Sequence, residues 1–527
     1  MATLLRLRRL PAAALALTKQ QTRSQSLLGA IFGIGEFEGA RNQSLGASTS
    51  KRQAFELALL EYVGMNSYPK YMLRKALEDD DQFLMGHVLV GASQCLNPAV
   101  HQDSLDAVAK VSVVAAIVQA NADTPLTEKL HVVALDAMVS GRYREAAVVY
   151  ETILLQDPRD LLALRCSFDL YQILGDSKNI LGTITRRLPL WSPNDAGFSH
   201  LLSMQAYGLQ MEGRLDAAES IAEKALSMNG NDRWAFHTLL HVLEARGNAN
   251  HGASYALQYR EMFDNGGPLE RHLYFQWALY LLDLGRYDRI FKFLEVNIFQ
   301  QRVSEPHAAL TVADATQLFW RLHFAGQDTE ELREQLHAAW TALAADEQEQ
   351  RVVFSPFTQL MCHSVLSSFD EAPSKIQRAP EAPVELQQLE LKLSGAVPIQ
   401  FSFGQSSADV AATFDGVRDG FTAYSQGRYE DATQRLLAVR GNVRVLGGTA
   451  VQHELVDMLL VESASRCEDL TLARLLMNER LSIRSQSAQV WSAYSRIFES
   501  IGDASALRDA QSMSYVLGLG QGGHQTN

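Results

Sequence analysis

A chain of 527 residues with 47% hydrophobic and 20% charged side chains can bury a large core, and its formal net charge of −13 argues against nucleic acid as the main ligand, because phosphate neutralisation needs clustered Lys and Arg. The longest apolar run, VSVVAAIV from Val111 to Val118, is too short to cross a bilayer, so no transmembrane segment is expected. Cys95, Cys166, Cys362 and Cys467 are scattered without CxxC spacing, which points to neither a disulfide framework nor a cysteine zinc site and fits a reducing compartment.

The first 35 residues carry Arg6, Arg8, Arg9, Lys19 and Arg23 and no acidic residue before Glu36. An Arg-rich, acid-poor leader with Ser and Thr between short Leu and Ala stretches reads as a mitochondrial transit peptide, with the matrix as destination and a cytoplasmic protein as the alternative. Residues 1–50 are therefore assigned to the leader and a loose Gly- and Ser-rich spacer. Two or three capping helices are expected over 51–122, drawn from KRQAFELALLEYVGMN, DDQFLMGHVLVGASQCL and SLDAVAKVSVVAAIVQA.

Over 123–300 the chain keeps an alternating beat. Gly141, Gly175, Gly213, Gly247 and Gly285 are separated by 34, 38, 34 and 38 residues, each closing one amphipathic helical stretch and preceding another. A period near 34 with a small turn residue between two helices marks tetratricopeptide repeats, whose single units cannot bury their apolar face and must stack. In the clearest unit, LHVVALDAMVSGRYREAAVVYETILLQDPRD, Gly141 takes repeat position 15, Tyr143 position 17, Ala146 position 20, Tyr150 position 24 and Pro158 position 32. The Gly175 and Gly247 units are degenerate in their second helices. Degenerate hairpins follow over 301–365, a linker with Pro373, Pro380 and Pro383 over 366–398, further repeats including the Gly427 unit over 399–515, and a disordered tail over 516–527. Without alternating strand patterns, the fold class is all-α, a tetratricopeptide-like solenoid of helical hairpins.

In such a solenoid, positions 2, 5, 9 and 12 of each first helix share the face that lines the inner groove. That register places Glu128, His131, Arg165, Asp169, His200, Tyr207, His237, His241, Glu244 and His272 there, so that five of the 14 histidines share one surface. His237-x3-His241 is the sharpest local signal, since imidazoles at i and i+4 can grip one metal ion. Glu244 lies about 10 Å along the axis from His237, too far to be a third ligand on an undistorted helix, and would serve as a base or an outer carboxylate. His272 or His200 would complete the metal set, with a divalent ion such as zinc as the cofactor. The alternatives are a groove for a peptide, protein or small polar ligand, and histidines that are purely structural. Arg165 and Asp169 read as a helix-face ion pair of little energetic worth. Trp191, Trp234 and Trp277 read as core packing between hairpins, and His87, beside Gly86, as a satisfied core imidazole.

The motifs FLMGHVL, TPLTEKLHVVALDA, DLLALRCSFDLYQILG, LPLWSPND, AYGLQMEGRLDAAESIAEKALSMNGNDRWAFHTLLHVLEARG, RHLYFQWALYLLDLGRYD and VLGGTAVQHELVDMLL occur in an order that resembles the tetratricopeptide repeat protein 38 family, from about Ala54 to about Val490. The resemblance implies a compact, closed helical-repeat domain of uncertain biochemical function, in which His87, His131, His237, His241, Glu244, His272 and Asp314 match family positions. Gln276 stands where the family tends to carry a second histidine after His272 and joins the groove set. Ser355, Pro356, Phe357 and Thr358 stand where it carries an Asn-Asp-Ala-His stretch. Three functions follow from the sequence. The preferred one is a binding protein using the His- and Glu-lined groove; the others are a metal-dependent hydrolase using His237, His241 and Glu244, and a scaffold of a mitochondrial assembly whose groove its own segments fill.

Overall fold

The computed structural model describes residues 49–96, 104–263, 267–299, 309–350, 356–366 and 407–519. The expected leader, the proline-bearing linker, Ser355 and the last eight residues lie outside them. The described residues form 23 α-helices and no strand, so the all-α solenoid expected from the sequence is what the chain builds. No helix among them is long and apolar enough to cross a membrane.

The capping region holds four helices rather than two or three: α1 (Thr49–Val63), α2 (Pro69–Asp79), α3 (Leu84–Leu96) and α4 (Ser104–Ala120). The additional helix, α2, starts on a proline at its first turn and buries only Pro69 and Leu73. Hairpins then follow in pairs: α5 (Leu126–Val139) with α6 (Tyr143–Gln156), α7 (Leu161–Ile173) with α8 (Ser177–Arg187), α9 (Phe198–Met211) with α10 (Leu215–Met228), α11 (Arg233–Ala245) with α12 (Ala249–Gln258), and α13 (Glu270–Asp283) with α14 (Tyr287–Phe293). After them come α15 (Ala309–Phe324), α16 (Glu330–Gln350), α17 (Pro356–Leu366), α18 (Ser407–Ser425), α19 (Tyr429–Val439), α20 (Ala450–Arg466), α21 (Leu470–Ile483), α22 (Ala488–Ile501) and α23 (Ala504–Leu519). The last of these corrects the expected tail, because residues 516–519 continue a helix that packs on α22.

The glycine beat has a backbone cause. Gly141 sits at φ 70°, its N–H donates to Met138 O at 3.0 Å, and the Arg142 N–H reaches back to Ala137 O at 2.7 Å. This paired closure satisfies the last carbonyls of a helix and places a left-handed residue at the turn, where any side chain is strained. The same two bonds recur at Gly213, Gly247 and Gly285. The alternating spacing follows from the second helices: α6 and α10 run 14 residues each, whereas α8 and α12 stop after 11 and 10 and pass through a 3₁₀ turn before the next unit.

Turns alternate in environment too. A Cβ on Gly213 or Gly285 would meet nothing within 4 Å, while one on Gly175 would lie 2.0 Å from Arg444 O and one on Gly247 3.3 Å from the Ser487 nitrogen. The C-terminal helices therefore return onto the turns of the two degenerate repeats and close the solenoid on itself. Charged side chains seal the junction. Arg484 donates to Glu244 at 2.5 Å and to Glu454 at 2.7 Å, Arg480 donates to Glu454 at 2.8 Å, and Arg321 donates to Val451 O at 2.6 Å. Ser487 Oγ donates to the buried Asp283 while also capping α22. One continuous apolar cluster runs from Phe55 to Ala510 and includes Trp191, Trp234 and Trp277, which pack in the core as expected.

Two outcomes test this closure. Replacing Arg484 by Ala strands the buried Glu244 and leaves Glu454 hydrogen-bonded to Arg480 alone, which should cost about 3–5 kcal/mol in urea denaturation and open the 440–519 region to protease before the rest. Burial lowers the His453 imidazole to about 4 while its ring nitrogen holds Gly447 O at 2.8 Å. The unfolded chain then binds a proton that the folded chain refuses between the ordinary histidine value near 6.5 and about 4, so stability falls as pH drops through that window, by up to about 3 kcal/mol. His453→Gln should flatten the fall in Tm between pH 7 and pH 4.5; an unchanged slope would assign the acid sensitivity elsewhere.

Candidate metal centre

Three consecutive first helices build the site. Repeat periodicity puts His237 and His241 one turn apart on α11, His272 and Gln276 one turn apart on the neighbouring α13, and Asp314 and Gln317 on α15 behind it. Each pair meets its counterpart. His237 Nε2 lies 3.1 Å from His241 Nε2 and 3.0 Å from His272 Nε2, and Gln276 Nε2 lies 2.6 Å from His241 Nε2. One ligand atom from each histidine falls within 4.8 Å of the other two, and this is a candidate metal-binding group of His, Cys, Asp and Glu residues among those described.

Proton bookkeeping shows what the arrangement can hold. His272 Nδ1 meets Asp314 Oδ2 at 2.7 Å, and Gln317 donates to Asp314 Oδ1 at 3.2 Å, so both carboxylate oxygens accept. The proton of His272 thus sits on Nδ1 and leaves Nε2 as a bare lone pair, the carboxylate–histidine relay that orients metal ligands. An imidazole nitrogen has one in-plane site, either a proton or a lone pair. His237 Nε2 can therefore bond to only one of its two neighbours: with its proton on Nε2 it donates to His272 while His241 accepts from Gln276, and with its proton on Nδ1 its lone pair faces that of His272 at 3.0 Å and repels it. A cation at the centre turns that repulsion into coordination.

The surroundings keep His237 and His241 neutral, as ligands must be. Burial pushes His237 well below its ordinary value, with His241 and His272 adding to the effect, and burial lowers His241 to about 3. Burial raises the Asp314 carboxyl, opposed by His272. Tyr207 stacks on His237 at 5.9 Å between centroids, and Trp234 lies 4.9 Å away. The Nδ1 atoms of both His237 and His241 are buried without a hydrogen-bond partner, so Asp314 is the one carboxylate that steadies the trio.

Other groove residues go elsewhere. His131 Nε2 pairs with Asp160 at 3.0 Å and His200 Nδ1 with Asp232 at 3.0 Å; each aspartate also caps the next first helix through Ala163 N or Ala235 N. These two histidines are struts between repeats rather than ligands of the trio. The N-cap aspartates were legible in the sequence as residues at the end of each repeat, and their second role as histidine acceptors was not. Glu244 departs from its expected place: it is buried against Arg484, which turns it away from service as a base for the metal. Glu128 is buried beside His131 with one carboxylate oxygen unpartnered, and burial raises its affinity for a proton. Tyr207 accepts from Gln172 at 2.9 Å. His87 Nε2 holds Asp81 O at 2.9 Å, while its Nδ1 stays unpartnered. Phe357 is buried core at the start of α17, and Pro356 and Thr358 share that helix turn.

Arg165 and Asp169 also depart from expectation, because the capping helix α1 covers the pair. Arg165 Nε donates to Asp169 at 2.8 Å, Nη1 to Val63 O at 3.0 Å, and the guanidinium lies 4.7 Å above the Trp234 ring, with Tyr62 donating to the same aspartate at 3.3 Å. The inner polar groove expected from the sequence is a closed interior: Arg165, Tyr207, His237, His241 and Gln276 are each at most 2% exposed. Arg165→Met should cost about 3–5 kcal/mol by leaving the buried Asp169 without its cation, and Arg165→Met with Asp169→Leu should recover most of it in chemical denaturation.

No family model matches the chain. Among solved structures, it is similar to the tetratricopeptide domain of P58(IPK), at 14% identity and a TM-score of 0.20 over 76% of this chain and 99% of that one. It is also similar to a structure of Naa15/Naa10 bound to HypK-THB, at 13% identity and a TM-score of 0.20 over 89% of this chain and 64% of that one. Scores of this size carry no site-level comparison. The chain is a tetratricopeptide-like helical-repeat protein on the strength of its own hairpins, glycine turns and repeat positions.

Proposed function

We propose that this protein is a metal-binding member of the tetratricopeptide repeat protein 38 family, in which His237, His241 and His272 hold one divalent transition-metal ion and the closed solenoid around it offers its outer surface to protein partners. The convergence of three imidazole Nε2 atoms, with His272 backed by Asp314, supports this reading. Three neutral nitrogen donors suit zinc and its first-row neighbours, and the absence of oxygen donors from the trio disfavours calcium and magnesium. Burial of the inner face supports an internal ion over an extended peptide lying in a groove, since Tyr207 and Gln276 are covered by the chain's own segments. The hydrolase alternative loses its named base, because Glu244 is held by Arg484.

Full-length protein purified without chelator should carry close to one equivalent of zinc or a neighbouring metal by elemental analysis. Readdition to stripped protein should raise the unfolding free energy by about 2.7 kcal/mol at a hundredfold excess over Kd. His237→Ala with His241→Ala should abolish both effects, while Asp314→Asn should weaken affinity by about 10–100-fold and keep the stoichiometry. Less than a tenth of an equivalent, with no thermal response to zinc, would remove the metal from this reading and leave the protein-binding solenoid.

A further inference from the structure

Resting on that metal reading, we infer that the ion's fourth position is taken by the side-chain oxygen of Gln276, which makes the centre a closed N3O site rather than one open to a substrate. Gln276 is 2% exposed, and its amide carbon carries one atom aimed at the trio, 2.6 Å from His241 Nε2, and another, Oε1, that is buried with no hydrogen-bond partner. The two ends of an amide have the same shape, and which one points inward is decided by the chemistry around it. Facing the bare Nε2 of His241, the NH2 group finds that lone pair as its acceptor. Once that lone pair belongs to a cation, an N–H aimed at the same point has no acceptor and carries a partial positive charge toward the ion. A half-turn about the last side-chain bond replaces it with the carbonyl oxygen, whose lone pairs face the centre.

Geometry supports this fourth donor on three counts. His272 and Gln276 stand one turn apart on α13, as His237 and His241 do on α11, so the two helices present two donors each to one point. Structural zinc is bound tetrahedrally by four protein atoms, while catalytic zinc keeps three and leaves the fourth position to water. Glu454, Glu244 and Asp283 are engaged by Arg484, Arg480 or Ser487. The amide of Gln276 is the polar group already in place. An ion so held ties α11 to α13 directly and to α15 through Asp314, which makes it a clasp across three repeats.

Cobalt(II) is the probe, added to stripped full-length protein and followed by its visible absorption, with azide as the competing anion. The wild-type protein should bind one equivalent with the intense band of four-coordinate cobalt, and excess azide should leave the spectrum unchanged. Gln276→Ala should still bind one equivalent, about 10–100-fold more weakly, and its spectrum should now shift with azide as the anion enters the vacated position. A wild-type spectrum that responds to azide would overturn the closed site, as would a Gln276→Ala spectrum identical to the wild type. If wild-type protein takes up no cobalt, or His237→Ala takes up as much as wild type, the metal reading falls and the fourth ligand with it.

Discussion

The guanidinium of Arg484 meets Glu244 across 240 residues of sequence, and most of what is particular to this molecule follows from that junction. A solenoid of helical hairpins ordinarily leaves its inner face to solvent. Here the segment from Arg444 to α22 returns against the turns of the second and fourth repeats while α1 covers Arg165 and Asp169, and the inner face becomes interior. Burying charges is costly unless each finds a partner, which is why the junction is a network: burial would raise Glu454, but Arg484, Arg480 and Arg321 outweigh it and draw the carboxyl down to about 2. Breaking one member exposes the cost of the others.

The metal centre depends on the same enclosure. On an open surface, imidazoles at i and i+4 would take up protons and repel one another or bond to water. Removed from water, His237 and His241 hold their neutral forms, and their lone pairs converge with that of His272 on a point that only a proton or a cation can satisfy. Asp314, on the next repeat, fixes the tautomer of one ring. Enclosure also separates the roles of residues that share a repeat position: His131 and His200 face N-cap aspartates and stitch neighbouring repeats, whereas His237 and His272 face each other.

Closure explains the irregular repeats as well. Gly175 and Gly247 turn the hairpins whose second helices are short, and theirs are the turns onto which the C-terminal segment docks. A repeat that receives another segment on its turn is bound by two sets of neighbours, and its sequence drifts from the consensus that describes a repeat packed only against its own kind. The turns of Gly213 and Gly285, which meet nothing within 4 Å, belong to units that keep the consensus more closely.

Local physics made much of this legible in the sequence. Glycine at a left-handed turn, an apolar stripe at helical spacing and small residues at hairpin crossings specify hairpins wherever they occur, so the repeats, their register and the i,i+4 histidine pair could be read one segment at a time. What α20 to α23 do to the earlier repeats could not. Whether Arg165 and Asp169 lie in water or under Trp234, whether Glu244 faces a metal or Arg484, and whether Gln276 reaches His241 all depend on which distant helices approach. Pairings over 35 to 240 residues are decided by the closed packing of the whole chain, because no local pattern encodes the partner of a buried charge.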